Sequence, residues 1–237
     1  MGPKAIGRWT ASVCLMLLVA QPTPPAAADT TALIKYIYLI PQEGPTGGCL
    51  ASPSSSKPVN PEQLPTLFAG AADQSVVAVY QGLQNPCDFI LMATPPPTRR
   101  NGVEGFQRSL DLPPEADYTQ SFALTSSFLV GNERLGATPT STVWFHHVDA
   151  GPGRTAKMPD NFALLFQQLS TFSGFQGLQV WTWRNRPNHW TVITSWTDPA
   201  SSLRARRDPA VIRAWDAIQL YSAAPKQTYP FRLIQGP

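Results

Sequence analysis

The chain has three histidines, His146, His147 and His189, and seven tryptophans. Four of those tryptophans, Trp181, Trp183, Trp190 and Trp196, fall within FQGLQVWTWRNRPNHWTVITSWTDP, residues 175–199, as does His189. An imidazole titrates near neutral pH and suits the role of proton acceptor. Indoles supply broad, flat apolar walls. The chemistry these residue types allow is that of an aromatic pocket holding a flat ligand beside a base. The same tryptophans also suit the hydrophobic centre of a sheet. His146 and His147 are adjacent, so on a strand they point to opposite faces and at most one enters a given pocket.

Other chemistries lack their motifs. There is no GxGxxG, P-loop, HExxH or Gly-x-Ser-x-Gly, and no carboxylate pair placed for glycoside hydrolysis. No cysteine spacing matches a zinc site. The formal charge is +3, and Lys4 and Arg8 supply two of those units, so the rest of the chain is nearly neutral and carries no nucleic-acid footprint.

The first residues read as an export signal. Lys4 and Arg8 precede the apolar run TASVCLMLLVA, which is too short to span a bilayer, and small residues surround Ala26 and Ala28. Residues 1–28 are therefore expected to be a signal peptide, and the mature protein to be periplasmic or secreted, without a membrane segment. Roughly 205 residues remain. They keep two cysteines, Cys49 and Cys87, and an oxidising compartment would let these pair.

The elements that must position these residues follow from periodicity. TVWFHHVDA (142–150) is strand-like. NFALLFQQLSTF places Phe162, Leu165, Phe166 and Leu169 at helical spacing, with Asp160 as its expected N-cap. GLQVWTWRN and HWTVITSW form a hairpin about the turn Asn185–Asn188, which leaves His189 in or beside a solvated turn. A helix divided at Pro209 carries Val211, Trp215 and Ile218 on one face, and Arg204, Arg206 and Arg207 read as a solvated helix face. KQTYPFRLI closes the half as a strand.

Residues 29–130 repeat this order less strictly: ALIKYIYLIP, a helix over NPEQLPTLFAGAAD, the hairpin SVVAVYQGL and CDFILMAT, a weak helix over TRRNGVEGFQRSL, and DYTQSFALTSSFLV. Residues 131–141 read as a linker and 142–237 as the second unit. The expected fold is α+β, two tandem ferredoxin-like βαββαβ units. In such a unit the end of the first strand and the turn of the central hairpin share an edge, so a Cys49–Cys87 bridge would pin the intervening loop to the sheet.

Residues 141–235 also resemble a known family, the antibiotic-biosynthesis-monooxygenase (ABM) domain of the dimeric α/β-barrel superfamily. The likeness rests on the strand entry Gly174–Gly177, on Ser195–Trp196–Thr197–Asp198 at the exit of the third strand, and on the helix break Asp208–Pro209 ahead of Trp215. The first half resembles the family through element order alone. The resemblance implies that the two units close into one intramolecular barrel, as a pseudo-dimeric monomer or a further homodimer. It implies a small aromatic or apolar ligand and, for an enzyme, a cofactor-independent monooxygenase. Trp196 would then be a pocket wall, with Trp190, Arg213 and Tyr229 around it, and His147 or, less well, His146 the catalytic proton acceptor. A non-catalytic ligand-binding or stress-related module is the alternative. A haem-degrading branch also exists, but its helix histidine is replaced here by Trp215, and its first-strand asparagine aligns near His146 or His147; a haem-binding protein that uses a histidine of that strand is the weaker alternative.

Overall fold

The computed structural model describes residues 31–42, 48–50, 58–59, 64, 77–93, 119–131 and 140–235. The expected signal peptide and both expected helices of the first half lie outside these residues, apart from buried Leu64.

Eight strands form one closed barrel. The first half contributes β1 (Thr31–Tyr38), β5 (Val77–Gly82), β6 (Asp88–Ala93) and β7 (Thr119–Gly131). The second contributes β8 (Thr142–Asp149), β9 (Phe175–Trp183), β10 (Arg186–Trp196) and β11 (Gln227–Gln235). Around the barrel the order is β1-β6-β5-β11-β8-β10-β9-β7. Within each half this is fourth, first, third, second, the antiparallel order of a ferredoxin-like unit. The halves join twice, β5 to β11 and β7 to β9, so the second strand of each pairs with the fourth of the other. Closure leaves neither unit a free edge.

Strand periodicity divides the apolar residues between the two sides of the barrel wall. Inside lie Val143, Phe145, Trp181, Trp183 and Ile193 with Tyr36, Tyr80 and Phe231. Outside, on the second half, Trp144, Val148, Val180, Trp190, Val192 and Trp196 meet two helices. These are α1 (Met158–Leu169), which buries Phe162, Leu165 and Leu169, and α3 (Pro209–Leu220), which buries Val211, Trp215 and Ile218. The helical and strand patterns thus each bury the face their period selects.

Between them runs α2 (Pro199–Arg207). Pro209 separates α2 from α3 because it lacks an N–H and forces its predecessor out of the helical region. Asp208 is accordingly extended (φ −72°, ψ 129°) and its carboxylate accepts from the Ala210 N–H at 2.7 Å. Asp198 caps α2 in the same way, through Ser201 N–H at 2.8 Å. For α1 the expected cap is corrected: Asp160 lies in the first turn, and the N-cap is Lys157, which makes no side-chain cap.

The hairpin turn is also earlier than expected. β10 begins at Arg186, because the Asn188 carbonyl accepts from Ala150 N–H (2.8 Å) and its side-chain amide donates to Asp149 Oδ1 (2.8 Å). His189 therefore lies within a paired strand, opposite Asp149, and not in a solvated turn.

The loop after β1 carries a small sheet of β2 (Ile40–Pro41), β3 (Cys49–Leu50) and β4 (Pro58–Val59). Cys49 and Cys87 form a disulfide with a Cα–Cα distance of 5.4 Å, tying β3 to the β5–β6 turn. Their sulfurs sit with Ile37, Leu39, Val79, Phe89 and Leu91 on the outer face of the first half.

Candidate functional site between sheet and helices

Trp144 and His146 are two apart on β8 and share its helix-facing side. His146 is paired across the ladder with Val192 on β10 and Thr228 on β11. That register brings its Nδ1 to 3.1 Å from Thr228 Oγ1, where the hydroxyl can either donate or accept. From above, α3 lays Trp215 against the imidazole, with ring centroids 4.5 Å apart at 41°. Trp144 lies nearly parallel to the imidazole, at 6.5 Å and 20°.

Two cations cover the indoles. Arg206, at the end of α2, places its Cζ 4.2 Å over the Trp144 ring. Lys226, just before β11, places Nζ 3.9 Å over the Trp215 ring. His146 is only 4% exposed. Burial, then the nearby Lys226 and Arg206 charges, hold its pKa well below the ordinary histidine value, so the imidazole is neutral. Burial and Arg206 likewise push Lys226 down to about 8, while Asp216 opposes them. The indole Nε1–H of Trp144 is buried and, among the described residues, meets no acceptor. The arrangement is a neutral base between two flat walls, with a cationic rim and one unused donor.

His147 lies on the other side of the wall. Its ring meets Tyr36 edge-on at 5.3 Å and Trp183 at 6.2 Å, and lies 5.9 Å from His189 at 26°. Its Nδ1 is 3.4 Å from Thr191 Oγ1, which also accepts from Trp183 Nε1 at 2.9 Å. Burial, then His189, lower its pKa to about 4. His189 packs on Trp183 at 4.0 Å, with Asp149 Oδ2 3.9 Å away, beyond hydrogen-bond reach. Tyr229 is at the same end of the barrel, 6.4 Å from His147 and 41% exposed.

The expected site residues are thus not gathered in one place. Trp196 shares the helix-facing side with His146, but it is 2% exposed, meets Phe175 edge-on at 5.3 Å and donates to Thr194 Oγ1 at 3.2 Å. Trp190 is packed against Phe162 of α1. Both are core packing. Arg213 is on the exposed side of α3. Tyr229 and His147 face the barrel end. Of the expected set, His146 alone has the sheet–helix surroundings just described.

Haem does not fit these residues. The helix offers no histidine: Trp215 stands at that position, 4.5 Å from the His146 ring. Among the described residues, no three histidine, cysteine or carboxylate side chains come together as metal ligands.

Solved structures place this architecture. A proposed monooxygenase from Fusobacterium nucleatum superimposes with a TM-score of 0.62 at 7% identity, over 88% of this chain and 94% of that one. The fold is ABM-like. An anthrone oxidase-like protein matches with a TM-score of 0.57 at 13% identity, over 89% of this chain and 93% of that one. A major regulator of staphylococcal pathogenesis matches with a TM-score of 0.53 at 6% identity, over 86% of this chain and 99% of that one. No family model and no curated protein matches by sequence. The ABM-like fold therefore spans both halves, although the sequence likeness was confined to the second. It carries unlike functions among these neighbours, so activity must be argued from the site.

Sequence reasoning missed Trp144, Arg206, Lys226 and Thr228. Trp144 had a usable signal, since it is two residues before His146. The other three are brought in by register and helix packing, which no local pattern reports.

Proposed function

We propose that this is an exported, cofactor-independent monooxygenase acting on a small electron-rich aromatic compound at the sheet–helix site. The observation that carries the reading is His146, neutral and buried between the indoles of Trp144 and Trp215. Such a base can take a proton from an acidic C–H of a bound anthrone-like ring. The resulting carbanion is electron-rich enough to reduce dioxygen directly. For an anthrone, one oxygen atom becomes the new carbonyl and the other leaves as water with the two hydrogens. The site's contribution is orientation, exclusion of water and the proton transfer. Export is supported by the basic and apolar leader of residues 1–28.

The test is oxygen uptake by the mature protein with anthrone. Uptake should fall to buffer level in a folded His146→Gln variant and persist in His147→Gln, which alters the opposite side of the wall. No uptake by the folded wild type, or full uptake by His146→Gln, overturns the reading. The first of these results supports the second candidate, a non-catalytic ligand-binding module. That alternative is favoured by the dense packing of Trp190 and Trp196, which leaves that end of the sheet sealed.

A further inference from the structure

We infer that the ligand of the sheet–helix site is a planar aromatic acid, bound as its carboxylate. This shares the site of the proposed oxygenase but does not depend on turnover. Three features of the site lack a counterpart that such a ligand supplies.

The first is charge. Arg206 and Lys226 rest on indole faces at the rim, and among the described residues neither is within ion-pair distance of a carboxylate. Their charges repel each other and are partly desolvated, and Asp216 offsets only Lys226. A carboxylate placed between them relieves both, and a guanidinium holds it in two-pronged geometry.

The second is the donor. Among the described residues, the buried Trp144 Nε1–H has no acceptor. Leaving such a group unpaired is costly, so a structure that keeps one has a use for it or an unseen partner. A ligand oxygen at the rim is that acceptor.

The third is shape. Trp144 and Trp215 flank His146, and each carries a cation on one ring face. Both cations end long flexible stems and reach the surface, so they can swing from the rings to the incoming carboxylate. An aromatic ring then takes their place on the indoles. A neutral aromatic would strip the cations of their indole partners and offer no charge in return. An inorganic anion would leave the indole faces unused. Burial is the main reason His146 is neutral, and the Lys226 and Arg206 charges add to it; the bound negative charge opposes that added part, which makes the imidazole a better base once the ligand has arrived.

The experiment is titration of the intact mature protein with anthracene-2-carboxylate and with its carboxamide, followed by calorimetry and tryptophan fluorescence. The acid should bind about tenfold or more tightly than the amide, the usual scale for one good charged contact. Arg206→Gln and Lys226→Gln should each remove most of that preference. Trp144→Phe should weaken the acid. If acid and amide bind equally, or both rim variants keep the preference, the carboxylate inference falls while a ligand site at His146 stands. If neither compound binds the folded protein, both the inference and the ligand site fall.

Discussion

His146 and His147 are neighbours in the chain, yet the barrel wall separates them: one imidazole lies 4.5 Å from Trp215 of α3, the other 5.3 Å from Tyr36 inside the barrel. His146 is buried and His147 half-buried, and each has its pKa lowered, but by different surroundings. The consequences differ for stability and for chemistry.

His147 makes the fold sensitive to acid. Its pKa is about 4 when folded, against 6.5 for an ordinary histidine. The unfolded chain therefore binds the proton more readily, and stability falls as pH drops from 6.5 toward 4. The loss is on the order of 3 kcal/mol from this one group. Urea denaturation at intervals across that window should show the decline, and His147→Gln should flatten part of it. An unchanged slope in the variant would assign the acid sensitivity to His146 and His189.

Gly174 should not tolerate alanine. It has φ +89°, and a Cβ there would stand 2.6 Å from Ser201 Oγ and 2.7 Å from Thr197 Oγ1. The Gly174 carbonyl also accepts from Thr197 N–H at 2.8 Å, so the backbone cannot easily move aside. Gly174→Ala should cost about 2 kcal/mol or more. A thermal midpoint equal to wild type would contradict this.

The disulfide should matter through the length of its loop. Cys49 and Cys87 are 38 residues apart, and closing that loop contributes about 4 kcal/mol by chain entropy. The Cys49→Ala/Cys87→Ala double variant should unfold at clearly lower denaturant. Intact mass after alkylation should change in the wild type only when the protein has first been reduced.

Two tryptophans should respond differently to the same change. Trp196→Phe loses the hydrogen bond to Thr194 and leaves a gap in the packed core, a cost of about 1–3 kcal/mol. Trp144→Phe removes a buried donor that has no acceptor among the described residues, and this gain offsets part of the lost packing. Equilibrium unfolding of both variants should therefore rank Trp144→Phe as the milder change. The opposite ranking would mean that Trp144 Nε1 is satisfied in solution.

Much of the fold was legible in the chain. The alternation in TVWFHHVDA and HWTVITSW, the helical spacing of Phe162, Leu165 and Leu169, and the Asp208–Pro209 break each reflect an interaction made within a few residues. The same local rule shows that His146 and His147 must face opposite ways. It also places Trp190 and Trp196 on one face and Trp181 and Trp183 on one face of the next strand.

A period of two cannot say which face a helix covers. That is decided by α1 and α3 packing on the outside of β8–β10, which puts Trp190 and Trp196 under helices and Trp181 and Trp183 inside the barrel. Closure through β5–β11 and β7–β9 joins residues of the two halves that are far apart in the chain, such as Tyr36 and His147. The site itself depends on that geometry. Thr228 meets His146 through strand register, while Arg206 and Lys226 arrive on separate elements that only packing brings together. The sequence alone determined the elements and the opposition of the two histidines, because those follow from short-range periodicity. Tertiary structure decided which histidine has walls, a rim and a partner, because contacts between distant segments leave no local trace.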